Sequence, residues 1–216
     1  MPNRNGRWVV LLIVAVVVAA AGVVLVVQGL QVQPPAAAAL PSATYSLSGS
    51  GQGAVVAAAR ASAAGSAAPR FDAPDTLYIP SLGVTAHITA ESVTAGSLDI
   101  PRDPTTVGMA RGYASLASAS GTTLIAGHVT YDGVPGALEH LADTEPGALV
   151  VVTDAAGTAT LWAVTAMTVR DKTDFPILAT DGPHQLVVVT CGGPANRIDG
   201  AWHFQDNIIV TAVPAS

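Results

Sequence analysis

The sequence predicts one all-β domain, a barrel or a sandwich, carried behind an N-terminal apolar segment. Three observations lead there. From about Asp72 onward, short runs rich in Val, Thr and Ile are punctuated by Gly, Pro and Asp every eight to twelve residues or so, the rhythm of a chain that turns back after each strand. Before Asp72 the texture differs: an uncharged apolar run, then a stretch dominated by Ala, Ser, Gly, Pro and Gln. The charge divides at the same place. All 15 Asp and Glu lie from Asp72 on, and Arg4, Arg7, Arg60 and Arg70 are the charged residues that precede it. A chain of 216 residues thus holds one ordinary domain plus accessories, and roughly 145 residues are ample for a closed core.

Taken in order, residues 1–7 form a short basic N-terminus. Residues 8–30 carry no charge and one polar side chain, Gln28. About 20 apolar residues at 1.5 Å rise cover a hydrocarbon core of roughly 30 Å, so this run predicts a transmembrane helix. With Arg4 and Arg7 ahead of it and the acidic bulk behind, the positive-inside bias places the N-terminus in the cytoplasm and the head outside a single-pass anchor in the cell membrane. A cleaved signal peptide is the alternative. Its apolar region is usually about 7–15 residues, shorter than this run, while the small residues Ala36 to Ala39 offer a place to cut. Residues 31–71 show no period of 2 or 3.6 and no acidic residue, which predicts a flexible linker.

The domain itself covers residues 72–216. Strands are expected at about 76–79, 85–89, 122–128, 148–153, 159–169, 184–191 and 207–212, each a β-branched run bounded by turn residues. A short helix is expected over 136–141, where Ala137, Leu138 and Leu141 share a face.

Composition narrows the chemistry. Residues 72–216 carry five basic against 15 acidic side chains, a balance of −10, which argues against binding nucleic-acid phosphates. One cysteine excludes an internal disulfide framework and a cysteine-based zinc cluster. The histidines lack HxxxH or HxH spacing, and Asp132, Glu139, Asp143 and Glu145 lack that of a calcium loop. No metal and no other cofactor is expected.

The lone thiol, Cys191, leaves three readings: a buried inert group, an intermolecular bridge, or a nucleophile. It ends the run Gln-Leu-Val-Val-Val-Thr and precedes Gly192-Gly193-Pro194, which places it where a strand opens into a loop. Rigid scaffolds commonly present site residues there. His128 ends Thr-Thr-Leu-Ile-Ala-Gly in the same way, ahead of a polar loop. An imidazole beside a thiol can hold it as the thiolate and later protonate a leaving amine, the pairing that a cysteine acyl-transferase needs. A histidine hydrogen-bonded in a loop is the alternative. His87, His140, His184 and His203 lack the strand-end context and read as structural or surface groups. A third group must stabilise the oxyanion formed on attack. Arg197, the cation that follows Cys191, either reaches back over the loop or pairs with Asp199 or Asp206, and both readings stand.

These runs resemble a known family. Thr122-Thr-Leu-Ile-Ala-Gly-His128 is similar to the histidine-bearing strand motif of sortases, and Leu186-Val-Val-Val-Thr-Cys191 to their TLxTC motif. Cys191-Gly-Gly, with Asp206-Asn207-Ile-Ile-Val after it, looks most like class F sortases of Gram-positive actinobacteria. Gly147-Ala-Leu-Val-Val-Val, Lys172-Thr-Asp-Phe-Pro176, and Ile100-Pro followed by Val107-Gly108 fit the same group. The resemblance covers about residues 75–214, and its specificity lies in the order and spacing of these motifs together.

The resemblance implies a closed eight-stranded sortase-type β-barrel with one or two short helices, and a cysteine transpeptidase. Cys191 would be the nucleophile and His128 the general acid and base. The substrates implied are secreted proteins bearing a C-terminal LPxTG-like sorting signal, cleaved between Thr and Gly through a thioester. A peptidoglycan precursor, another amine, or water would resolve that thioester. The pattern departs at the third residue. Sortases place an arginine at or just before the last strand, where this chain has Gln205-Asp206-Asn207. The oxyanion then falls either to Arg197 or to Asn207 as a neutral amide donor. Removing an amide from such a hole typically costs about 10²–10³ in rate, so a neutral donor is physically sufficient. Met109-Ala110 also stands where the family has aromatic residues. Two other functions compete: a catalytically silent sortase-like domain for peptide binding or envelope assembly, and an unrelated cysteine peptidase with water as acceptor.

Overall fold

Consecutive Val, Ile and Thr suit extended strands that are covered on both faces, as the fully buried runs Leu149–Thr153 and Thr122–Gly127 are, and eight strands close on themselves. The computed structural model describes residues 40–65, 70–198 and 201–215, all within a unit spanning 35–216. The barrel strands are β1 (Thr76–Ile79), β2 (Val84–Glu91), β3 (Thr106–Ala110), β4 (Thr122–Gly127), β5 (Leu149–Thr153), β6 (Ala159–Asp171), β7 (Gln185–Ile198) and β8 (Ala201–Pro214). Their order around the barrel is β6-β5-β1-β2-β3-β4-β7-β8, and pairing of β8 with β6 closes the ring and leaves no open edge. Neighbours are antiparallel except β2 with β3 and β4 with β7. Leu77, Val107, Ile125, Trp162, Val188 and Val210 are among the side chains that fill the interior.

The predicted span over 8–30 lies outside the described residues. Among the described residues no helix is long and apolar enough to cross a membrane.

Four features differ from the sequence-based expectation. Part of the predicted flexible linker is ordered structure. Tyr45–Ser46 pairs with Met167 and Ala166 of β6, and helix α1 (Ser50–Ala64) lies on the outside of β5 and β6. Its Ala-rich sequence has high intrinsic helix propensity but no broad apolar face. Small side chains nevertheless allow close approach, and Ala59 is buried with Tyr78, Leu149 and Val151. The tertiary contact, rather than local amphipathicity, fixes this element.

The helix expected over 136–141 is instead a series of tight turns. Hydrogen bonds run three residues back from Glu139, Leu141 and Asp143, ending in a 3-10 turn at Leu141–Asp143, while Leu138 and Leu141 still point into the core. Strand β3 lies outside the strands that the sequence pattern predicts. It is five residues long with Gly108 at its centre, too brief an apolar run to stand out.

Finally, the chain does not leave the sheet at Cys191. β7 continues to Ile198 and forms a hairpin with β8, and a register shift between Gly192 and Ala195 absorbs the glycine pair. Gly193 takes φ +74° there, a left-handed conformation that suits glycine.

Candidate active site

Four neighbouring strands, β6, β8, β7 and β4, are in register, so their side chains form rows across the barrel wall. Met167, Val210, Val188 and Ile125 form one row, and all face the interior. In the next, Thr168, Ile209, Val189 and Ala126, the last three belong to an apolar cluster on the outer face that Leu98, Ile100, Tyr113 and Leu178 cover. The row after that turns inward. Val169, Ile208 and Thr190 align, and Thr190 Oγ1 donates to the Gly127 carbonyl at 2.9 Å, tying β7 to the end of β4. A Cβ on Gly127 would meet Val107 and Leu138, which confirms that this row faces the core.

The following row therefore faces out. It holds Arg170, Asn207 and Cys191 in direct register. His128, the residue after β4, continues the outward series of Leu124 and Ala126. β4 and β7 run parallel, with Ala126 opposite Val189, so His128 and Cys191 each lie two residues beyond that pair on the same face. Cys191 is a half-buried free thiol, and Asn207 opposite it is also half-buried.

The imidazole is held from several sides. Its Nε2 lies 2.9 Å from the Pro101 carbonyl oxygen, and the Tyr131 ring stands 4.7 Å away, tilted by 38°. A carbonyl only accepts, so in neutral His128 the proton is on Nε2 and Nδ1 is left as the acceptor. Burial pushes the His128 pKa below its ordinary 6.5, and the bond to Pro101 opposes that in part. The backbone is clamped as well. Leu138 donates its N–H to the His128 carbonyl, and Gly136 passes so close to that carbonyl that a Cβ would collide with it.

Arg197 lies elsewhere. It is exposed, six residues beyond Cys191 along β7, and pairs through its backbone with Trp202 toward the hairpin tip. The register that brings Asn207 to Cys191 does not bring Arg197 there. Of the other histidines, His184 is buried, 3.0 Å through Nε2 from Thr123 Oγ1 and edge-on to Trp162, whereas His140 is exposed beside Asp143. Among the described residues no cluster of His, Cys, Asp and Glu could hold a metal ion. A cleft of about 620 Å³ is lined by Ser81, Leu82, His140, Asp143 and Glu145 among others, and includes neither Cys191 nor His128.

Arg170 stands in the row of Asn207 and Cys191 and is marked by no motif in the sequence. It ends an apolar run and precedes acidic residues, which reads as a solvated strand end. Its alignment with Asn207 exists only once β6 and β8 pair.

A family model described as Sortase domain matches residues 77–215. Among solved structures, the chain is similar to sortase A from Corynebacterium diphtheriae, with a TM-score of 0.51 and 18% identity over 77% of this chain and 85% of that one. It is similar to sortase C1 from Streptococcus suis, with a TM-score of 0.51 and 16% identity over 67% and 73%. Sortase C1 from Streptococcus agalactiae gives 0.50 and 13%, over 65% of this chain and 66% of that one. At such identities the likeness is one of fold. No curated protein matches the sequence.

Proposed function

The chain belongs to the sortase family, whose members are cysteine transpeptidases, and from that premise we propose that it is a membrane-anchored sortase. It cleaves an LPxTG-like sorting signal between Thr and Gly and transfers the acyl fragment to an amine. One observation carries this reading: the parallel register of β4 and β7 sets Cys191 and His128 on one face, with the Thr190 hydrogen bond beneath them.

The chemistry follows from that placement. His128 Nδ1 takes the thiol proton as Cys191 Sγ attacks the Thr carbonyl carbon. The S–C bond forms, and the carbonyl π pair moves to oxygen, where the Asn207 amide donates a hydrogen bond. Collapse restores the carbonyl and breaks the C–N bond, and His128 returns its proton to the departing glycine amine. An acceptor amine then gives a proton to His128 as it attacks the thioester, and Cys191 leaves as the thiolate and regains that proton. A peptidoglycan precursor is the acceptor this reading favours, with water as the slower alternative.

The apolar run at 8–30, behind Arg4 and Arg7, supports a single-pass anchor in the cell membrane with the catalytic head outside. The Cys191-Gly-Gly and Asp206-Asn207 motifs favour class F within the family. Intact-mass measurement of the full chain in detergent with an LPxTG-type peptide tests the function. A thioester adduct is expected on the wild type, absent from Cys191→Ala and discharged by an added amine. A folded protein whose thiol alkylates but which forms no adduct across a panel of sorting peptides would instead be a silent binding domain.

A further inference from the structure

We infer that Arg170 is the cation of this active site, and that its guanidinium reaches past Asn207 to bind the oxyanion on the side of Cys191 away from His128. The inference rests on the reading of Cys191 as nucleophile.

The barrel closure makes the argument. Arg170 is directly opposite Asn207 across the β6–β8 ladder, and Asn207 is directly opposite Cys191 across the β8–β7 ladder. Side chains that oppose each other in an antiparallel ladder lie on the same face, and Met167 and Ile208, which alternate with this row, point into the core. Strands are spaced by about 4.8 Å, so roughly 10 Å separates the Cα atoms of Arg170 and Cys191. An extended arginine stem crosses the Asn207 step. It delivers its head over the Asn207 amide, where the oxygen of a carbonyl bonded to Sγ would lie. His128 occupies the opposite flank, beside the leaving amine. Proton transfer and oxyanion binding are thereby separated across the nucleophile, as acyl transfer requires.

The other cations of the head are placed less well. Arg197 is along the hairpin, and Lys172 sits in the 3-10 turn Lys172–Asp174 beyond β6. Arg102 follows Pro101, the partner of His128, and so belongs to the leaving-group flank. Arg111 is spent at the far end of β3, where its Nε donates to the Ala90 carbonyl.

Arg170 is also available. Its Nη1 is 3.5 Å from Asp174 Oδ2, with both side chains more than half exposed. Exposed pairs of this kind contribute little, whereas a hydrogen bond to an oxyanion is charge-assisted and roughly twice as strong as a neutral one. The resting pair parks the guanidinium at the rim, and the tetrahedral intermediate draws it inward.

The test uses the full chain and single-turnover acylation by an LPxTG-type peptide, with iodoacetamide alkylation of Cys191 as a readout independent of the peptide. Arg170→Ala is expected to slow acylation by about 10²–10³, through kcat more than KM, with alkylation and melting temperature near wild type. Added guanidinium ion should restore part of the rate in Arg170→Ala and none in Cys191→Ala. Arg111→Ala, which removes a charge of the same sign elsewhere, should behave as wild type. An active wild type with Arg170→Ala unchanged, a larger loss in Arg197→Ala, or a loss that guanidinium does not rescue would each overturn the assignment. A wild type that alkylates but never acylates would refute the transpeptidase reading itself, and the inference would fall with it.

Discussion

Replacing Thr190 by valine removes one hydroxyl and little else, so the change isolates the tie between the strands that carry Cys191 and His128. Thr190 is 2% exposed, and its Oγ1 donates to the Gly127 carbonyl at 2.9 Å. A net hydrogen bond is worth about 0.5–1.5 kcal/mol, and a buried carbonyl left unsatisfied costs about 1–3 kcal/mol, which brackets the expected destabilisation at about 1–3 kcal/mol. For a domain of this size each kcal/mol shifts Tm by about 2–4 °C. The catalytic effect should exceed the thermodynamic one. Cys191 and His128 each follow directly on a tied residue, and a displacement of about 1 Å in such a constellation can cost about 10² in rate. Thr190→Ser keeps the hydroxyl and loses a buried methyl worth about 0.8 kcal/mol, so it should lose stability but keep most of the activity. Thermal unfolding and single-turnover acylation of both variants measure the two effects separately. If Thr190→Val kept both its Tm and its acylation rate, or if Thr190→Ser were equally inactive, the tie would not set the spacing of the pair.

Burial holds the His128 pKa below 6.5. The acid limb of kcat/KM, where His128 gains a proton while the thiol still holds its own, is therefore expected below pH 6.5. Tyr131→Ala, which uncovers the ring, should move that limb upward. In stability the sign is fixed by linkage: as pH falls through 6.5 the unfolded chain takes up the proton before the folded one does, so folded stability declines there, and less so in Tyr131→Ala. A limb that stays put or moves down in a pH titration would contradict the assignment. Ala59→Leu, at a buried position of α1 against Leu149 and Val151, should cost about 1–3 kcal/mol by overpacking. No change in the thermal unfolding of the full chain would mean that residues 50–64 are not docked as described.

Local pattern was sufficient where it is strong. The runs at 76–79, 122–128, 148–153 and 159–169 are legible as strands because short β-branched apolar runs bounded by turn residues encode element type without help from the rest of the chain. Cys191 and His128 stood out for the same reason, each closing an apolar run ahead of a polar stretch. The glycine pair after Cys191 misled, since Gly-Gly marks a turn and a bulge equally well, and the long β7–β8 hairpin decides between them. Helix α1 misled differently: alanine permits a helix, but the outer face of β5 and β6 supplies the contact that fixes it.

By itself, then, the sequence determined an all-β head and its sortase kinship through ordered motifs, and it nominated Cys191 and His128 as the reactive pair. The tertiary structure alone decided that Asn207 stands opposite Cys191 and that Arg170 stands opposite Asn207. The reason is physical. Periodicity within a strand is a local property of the chain, whereas register between strands distant in sequence is set by which side chains fill the barrel together. A slip of one residue would turn this entire row inward, so the packed core fixes the composition of the site.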